Sequence, residues 1–263
     1  MKLLQVAFMW LQAISNTISQ IIQAKEFIAT CNTFPAGYSV YHSGNCYVHY
    51  LTPVSFATAT MASSCDSFPL GFKGHLAFIA AVPIKTALKD GLSAVGSSVV
   101  HIGLHKQYPM TAPATAGWEF SERFDGSTYR WDASKVMAYP GEPVWKNGNP
   151  VAGDGYAVLS IKNGQVTSDV ADTAVDGGYI CQYRSPTVEY HRYAQYQGTS
   201  HVIATFNATS SSFCSVECHR TPHCYSYTFG QGECRLHHNI WDPIDNSAIE
   251  ASSNPMYNLY QIK

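Results

Sequence analysis

The sequence predicts an α+β protein that consists of two small domains, both stabilised by disulfides. Three observations support this fold class. Short segments with helical periodicity alternate with short strand-like segments, and the eight cysteines form two groups on either side of residues 182–213. An apolar N-terminal segment precedes all of the cysteines, and an even cysteine count behind such a segment is typical of a disulfide framework.

The N-terminus has the pattern of a secretory signal peptide. Lys2 precedes a mostly apolar run, residues 3–14, and a basic start before such a run is typical of these signals. Residues 1–24 are assigned to the signal; small residues suitable for cleavage leave the cut open between 15 and 24. The run is shorter than the ~18 residues that a membrane span needs. We therefore expect a secreted, extracellular protein without a membrane span.

The cysteines are expected to pair with each other. They are Cys31, Cys46, Cys65, Cys181, Cys214, Cys218, Cys224 and Cys234. Two histidines stand between Cys218 and Cys224, which makes a zinc site the alternative. Thiolates in an oxidising compartment form disulfides before they hold a metal, so the disulfides are favoured.

Composition and motifs narrow the classes of function. The net charge of −2 gives no electrostatic reason to expect nucleic acid as a partner. The sequence has no Gly-x-Ser-x-Gly turn, no His-Glu-x-x-His and no phosphate-binding glycine loop. We therefore expect a binding protein rather than an enzyme, and no cofactor.

The boundary between the domains is predicted near Pro186, where a turn-like segment ends a strand. This gives a first domain over 25–185, a linker over 186–192 and a second domain over 193–263. Because each cysteine group is even in number, we expect every disulfide to lie within a domain and the halves to fold independently.

The first half contains two helix patterns and several strand patterns. The helices cover 54–62 and 84–92, and the strands cover 75–79, 99–104, 157–161 and 178–183. Thr52 and Pro53 have the residue types of an N-cap and a first helical position, and Leu88 and Leu92 have helical i, i+4 spacing. Residues 105–155 are rich in Gly, Pro, Ser and Trp, and we expect them to form a long functional loop.

An ordered set of landmarks in the first domain resembles the C-type lectin-like family. The landmarks are Asn45-Cys46-Tyr47, Ala59, Cys65, residues 74–79, residues 101–104, Trp118-Glu119-Phe120-Ser121 and residues 178–182. The resemblance implies a C-type lectin-like fold with two helices, mixed β-sheets and a long loop. It also implies the disulfides Cys31–Cys46 and Cys65–Cys181, and the binding of a glycan or another ligand.

The second domain resembles the PAN/apple family, a helix on an antiparallel sheet. The residues that carry the resemblance are 213–218, 224–229 and 234–236. In the family, cysteines one turn apart on the helix bridge to the adjacent sheet. The resemblance therefore implies the disulfides Cys214–Cys234 and Cys218–Cys224, together with binding of protein or carbohydrate.

The calcium site of the lectin family is degenerate in this chain. Calcium takes about six to eight oxygen ligands. The resemblance aligns the family's ligand loop with 149–151, where Val151 supplies no oxygen, and a downstream acid with Asp154. Of the family's last ligand strand only Asp169 keeps a carboxylate. Tyr156 and Asp172 replace the cysteine pair that braces this region in relatives, so calcium binding is expected to be weak or absent.

Five residues are the candidates for ligand binding: Trp145, Asn147, Asn149, Asp154 and Asp169. Asn149, Asp154 and Asp169 are also the only weak candidates for a metal. A surface position is favoured for the two aspartates, whereas Trp145 fits core packing and sugar stacking equally well. The sequon at Asn207 predicts an N-linked glycan.

The sequence thus predicts a secreted recognition protein that binds an extracellular glycan or protein. The alternative is a structural, extracellular-matrix or adhesion protein in which both domains make only protein–protein contacts. The degenerate calcium loop favours this alternative, while the retained framework of landmarks and cysteines keeps the first hypothesis open.

Overall fold

The structure is a computed structural model, and it contains two β-sheets, one in each half of the chain. It describes residues 23–60, 62–77, 82–92, 99–106, 118–124, 127–132, 146–149, 151, 153, 155–162, 165–169, 174–186, 190–199, 202–221, 224–237 and 251–262. None of the helices within these ranges is long and apolar enough to cross a membrane.

We call the part of the chain that carries the nine-stranded sheet, residues 23–184, the first domain, and the part that carries the other sheet, residues 190–262, the second domain. The first domain combines short helices with its sheet. Its elements are α1 (residues 23–31), β1 (Ser39–His42), β2 (Asn45–Tyr50), α2 (Phe56–Ala59), β3 (Gly74–Leu76), α3 (Val82–Gly91), β4 (Val99–Lys106), β5 (Trp118–Phe124), β6 (Ser127–Asp132), β7 (Tyr156–Ser160), β8 (Gln165–Asp169) and β9 (Tyr179–Arg184). The strands follow the order β1-β2-β9-β4-β5-β6. In addition, β3 pairs with β9, and β7 pairs with β4 and β8. The pair β4–β9 is parallel and the others are antiparallel.

Aromatic residues fill the core between α1 and the sheet. Phe27 of α1 is fully buried, and its ring lies 5.2 Å from that of Phe68 and 5.0 Å from that of Phe72. Phe68 in turn contacts Tyr183 of β9, with ring centroids 4.5 Å apart. Burying large aromatic side chains contributes much of the stability of so small a domain.

The first predicted helix is shorter than expected. It was predicted over 54–62, with Thr52 as its N-cap. In the structure α2 covers only Phe56–Ala59, and the cap is Ser55, whose hydroxyl accepts a hydrogen bond from the Thr58 amide. The cause is a tertiary contact: Val54 forms an isolated antiparallel bridge with Val175, which holds its backbone extended. The second predicted helix is present as α3.

The expectation of one long loop over 105–155 was wrong in part. Two strands, β5 and β6, form an antiparallel hairpin in this segment, and β5 also pairs with the end of β4. Residues 118–124 and 127–132 therefore extend the sheet. The strand predicted over 157–161 is β7, and the strand predicted over 178–183 is β9.

The second domain is a five-stranded antiparallel sheet that carries one helix. Its elements are β10 (Tyr190–Gly198), β11 (Val202–Asn207), α4 (Ser211–Arg220), β12 (Ser226–Gly230), β13 (Glu233–His237) and β14 (Ala251–Ile262). The strand order is β10-β14-β12-β13-β11. Ser210 caps α4 by accepting a hydrogen bond from the Phe213 amide, as serine commonly does at this position.

All eight cysteines form disulfides, and each disulfide lies within one domain. The pairs are Cys31–Cys46, Cys65–Cys181, Cys214–Cys234 and Cys218–Cys224. These are the pairs that the two resemblances imply. The first two join α1 and the segment after α2 to the sheet, and the last two join α4 to β13 and to the segment before β12.

His219 lies where the two domains meet. Burial, and then the charge of the nearby Arg184, lowers the pKa of His219 to about 4, although a hydrogen bond with the Pro186 carbonyl acts in the opposite direction. The folded state therefore binds fewer protons than the unfolded state at mildly acidic pH. The stability that depends on neutral His219 is complete above the ordinary histidine pKa of ~6.5 and is lost as the pH falls towards 4.

Gly178, immediately before β9, occupies a position that no other residue fits. Its φ is +76°, and an added Cβ would lie 1.9 Å from the Tyr50 carbonyl oxygen. Its own carbonyl accepts a hydrogen bond from the His101 amide, which aligns β4 with β9. The close approach of these backbones requires a glycine.

We expect Gly178→Ala to lower the free energy of unfolding by about 2–4 kcal/mol, because it adds a steric clash to the backbone strain. Gly153→Ala is the matched control, since Gly153 also has a positive φ, of +91°, but no atom within 4 Å of the added Cβ. Its expected cost is about 1 kcal/mol. Equal losses in denaturant titrations of the two variants would contradict this account of Gly178.

We also expect acid to destabilise the protein partly through His219. Replacement by glutamine, which does not titrate, should remove on the order of 2 kcal/mol of the stability lost between pH 7 and pH 4.5. Denaturant titrations at several pH values measure this difference. If the free energy of unfolding falls with pH by the same amount in the wild type and in His219→Gln, His219 does not contribute to the acid destabilisation.

Candidate ligand-binding site

Three of the first domain's strands bring a histidine, a tyrosine and an aspartate into one row. His105 of β4 pairs with Tyr156 of β7, and Tyr156 pairs with Asp169 of β8. Residues directly opposite each other in neighbouring strands share one face of a sheet. We call His105, Tyr156 and Asp169 the cross-strand row.

An aromatic ring packs against two members of the cross-strand row. The ring of Phe56 lies 5.2 Å from that of His105 and 5.3 Å from that of Tyr156. Phe56 is buried, whereas His105 and Tyr156 are half-buried. Tyr156 can therefore present part of its ring to a ligand while the rest is fixed by packing.

Histidine side chains hold the backbone around this cluster. The Nε2 atom of His101 lies 2.9 Å from the Val54 carbonyl oxygen, and Nε2 of His49 hydrogen-bonds the Gly177 carbonyl. Burial lowers the pKa of His49, and the bond to Gly177 only partly offsets this effect. These two imidazole groups thus tie the segments before α2 and before β9 to the sheet.

His101 and His105 pack against the same aromatic side chain. Both rings contact Phe56, His101 at a centroid distance of 5.9 Å. No group of three or more histidine, cysteine, aspartate or glutamate side chains within the described ranges could hold a metal ion. In the second sheet, His237 is fully buried, and its Nε2 atom lies 3.0 Å from the Thr228 hydroxyl oxygen.

A polar turn, residues 146–149, precedes β7. The Asn149 amide donates a hydrogen bond to the Lys146 carbonyl oxygen at 2.9 Å, and Gly148 has a φ of +84°. Asn147 is exposed and Asn149 is half-buried. The turn therefore offers side-chain amides, which can both donate and accept hydrogen bonds.

The structure locates three of the five predicted site residues. Asn147 and Asn149 lie in the polar turn, and Asp169 lies in the cross-strand row. Trp145 and Asp154 fall outside the described residues. The sequence reasoning did not identify His105 and Tyr156 as site residues, because their proximity to Asp169 depends on the register of three strands.

The described residues do not fit a strong calcium site. Asn149 carries one amide oxygen, whereas the side chain of Val151 is half exposed and carries no oxygen. Calcium requires about six to eight oxygens. The chemistry that the surface does offer is hydrogen bonding and aromatic stacking.

Solved structures similar to this chain include two C-type lectins and an antifreeze protein. The mouse scavenger receptor C-type lectin carbohydrate-recognition domain is 22% identical, with a TM-score of 0.38 over 58% of this chain and 98% of its own. The C-type lectin CEL-I from Cucumaria echinata is 15% identical, with a TM-score of 0.40 over 58% of this chain and 99% of its own. A calcium-independent type II antifreeze protein is 18% identical, with a TM-score of 0.36 over 57% of this chain and 94% of its own.

At this level of similarity the matches alone do not assign the chain to a family. No protein-family model matches the sequence, and no curated protein matches it either. None of the three structures is described as an enzyme.

Asn207, the predicted glycosylation site, is exposed at the end of β11. Its sequon continues through buried Ala208 and exposed Thr209, just before the Ser210 cap of α4. Exposure of the asparagine and the following threonine leaves the sequon accessible.

We expect protein made in a eukaryotic secretory host to carry a glycan on Asn207. Treatment with an amide-cleaving glycosidase should then increase its gel mobility, and Thr209→Ala should give the same mobility without treatment. Ser212→Ala, which changes an exposed serine outside the sequon, is the control. Wild-type mobility that does not change on treatment would contradict the prediction.

Proposed function

We propose that this protein is a secreted recognition protein. Its first half would be a C-type lectin-like domain and its second half a PAN/apple domain. The mixed sheet and the Cys31–Cys46 and Cys65–Cys181 disulfides support the first assignment. A helix on an antiparallel sheet, with two disulfides from α4, supports the second.

The cross-strand row is the observation that carries the proposed binding function. Tyr156 packs against Phe56 and is only half-buried, so that the accessible part of its ring can stack on an apolar face of a sugar or on a protein side chain. Asp169 provides a carboxylate position in the same row. With the amides of the polar turn, these groups favour recognition of a hydroxyl-rich ligand without a strongly bound calcium ion.

Protein–protein adhesion is the second candidate function, and exposed apolar side chains favour it. Phe213 and Val216 of α4 are each 45% exposed, and Val151 next to the polar turn is 50% exposed. Exposed apolar residues that lie together on a helix are common in protein-binding surfaces. A ligand of this second class would be an extracellular protein.

We expect Asp169→Asn and Asn147→Ala each to weaken binding of a glycan ligand by about tenfold, the loss that a hydrogen bond worth ~1.4 kcal/mol produces. A glycan array identifies the ligand, and titration of each variant measures the change. Asp66→Asn is the control, because Asp66 is exposed and outside the proposed site. An array without binding, together with capture of a protein ligand, would favour adhesion instead.

Calcium is expected to have little effect on stability. A ligand that binds only the folded state stabilises it by RT ln(1 + [L]/Kd), so millimolar calcium at a weak site changes the melting temperature by no more than about 2 °C. Melting curves in calcium and in chelator measure the shift. A difference of many degrees would contradict the proposal of a degenerate site.

A further inference from the structure

The side chain of Arg184, the last residue of β9, reaches from the first domain into the second. Its Nη1 atom donates to the Thr221 carbonyl oxygen at 3.2 Å. Its Nη2 atom donates to the carbonyl oxygens of Cys218 at 3.3 Å and Cys224 at 3.2 Å. One guanidinium group therefore binds three backbone carbonyls of the other domain.

The three carbonyls belong to one small loop that a disulfide closes. Cys218 and Cys224 are bonded to each other with only five residues between them, and Thr221 lies within this loop. We call the carbonyl oxygens of Cys218, Thr221 and Cys224 the carbonyl cradle. The disulfide limits the conformations of the loop, so the acceptors are held in place before a cation arrives.

The position of the cradle at the end of α4 makes it attractive for a cation. Cys218 lies in the last turn of α4, and Thr221 is its C-cap. Carbonyl groups at a helix C-terminus lack helical partners and carry partial negative charge. A planar guanidinium matches several such acceptors better than an ammonium group, because its donors lie in a fixed fork.

Buried polar contacts surround Arg184 on both sides of the junction. Gln182 donates its side-chain amide to Asn45 at 3.0 Å, within the first domain, and to the Tyr225 hydroxyl at 3.5 Å, in the second. Gln182, Asn45 and Tyr225 are each at most 3% exposed. His219 of α4 forms a hydrogen bond with the Pro186 carbonyl.

The second domain's own backbone fixes Tyr225. Its amide donates to the His237 carbonyl at 3.0 Å, and its carbonyl accepts from the Ile262 amide at 2.9 Å. Tyr225 thus connects β13 and β14 to the junction. Any movement between the domains would break the hydrogen bond between Gln182 of β9 and Tyr225, the residue before β12.

We propose that the carbonyl cradle is a guanidinium-binding site whose occupant is Arg184, and that this contact locks the two domains into one rigid recognition unit. Separation would expose the buried polar groups of both domains to water and remove the cation from the end of α4. Because only residues 185–189 connect β9 to β10, the cradle meets Arg184 at a high effective concentration. Docking therefore costs little entropy.

This inference revises the expectation that the halves fold independently. All disulfides remain within a domain, but Arg184 makes the stability of the second domain depend on the first. A ligand would meet the two domains in one fixed relative orientation, whichever of the two proposed functions the protein has.

Differential scanning calorimetry and small-angle X-ray scattering of the full chain test the proposal. Arg184→Gln removes the charge and the guanidinium fork. It should split one unfolding transition into two, lower the midpoint of the second domain by at least about 4 °C and increase the radius of gyration. Arg184→Lys keeps the charge but offers one nitrogen to three acceptors, and its effect should be intermediate.

Arg192→Gln is the matched control. Arg192 is an exposed arginine of β10 that donates to the side chain of Asn258 within the second domain, so its loss should leave one transition and an unchanged radius of gyration. If Arg184→Gln does not yield folded protein, Arg184→Lys tests the proposal through the same calorimetric transitions and the same radius of gyration. Two independent transitions in the wild type, or wild-type behaviour of the tested Arg184 variant, would overturn the proposal.

Discussion

The Cys65–Cys181 disulfide joins the helical segment after α2 to β9, and the remaining contacts of the first domain depend on the position of that strand. Cys181 is fully buried at the centre of β9, which pairs with β2 and β3 and, through one parallel bridge, with β4. Because the Cys65–Cys181 disulfide joins residues far apart in sequence, it removes much of the conformational freedom of the unfolded chain.

The side chains of β9 contact both the core of the first domain and the second domain. Tyr183 packs on Phe68, and its hydroxyl lies 2.9 Å from that of Tyr50; burial is the main reason that the pKa of Tyr183 is raised. At the C-terminal end of the strand, Arg184 occupies the carbonyl cradle. One strand therefore positions both the core of the first domain and the second domain.

Local sequence patterns predicted the elements that local forces determine. The strands β7 and β9 follow from apolar runs next to turn residues, and α3 follows from its leucine spacing. The disulfide pairs came from family resemblance rather than from spacing, because spacing alone does not determine how cysteines pair. The described residues after 190 contain a helix and a five-stranded antiparallel sheet.

The features that sequence could not predict depend on contacts between distant residues. Val54 is extended because it pairs with Val175, so the N-cap of α2 is Ser55 and the helix begins at Phe56. The cross-strand row requires the register of three strands, which no short motif encodes. Arg184 was assigned to the end of a domain next to a turn, and nothing in its neighbours indicates the carbonyls that it meets.

Native-state hydrogen exchange along β9 and β12 tests most directly whether this strand couples the two domains. The account predicts that the amides of Ile180 and Gln182 in β9 and those of Tyr227 and Phe229 in β12 exchange through openings of the same free energy. These free energies should also fall together as denaturant is added. Exchange of the β12 amides at a much lower free energy, with β9 still protected, would contradict the central claim.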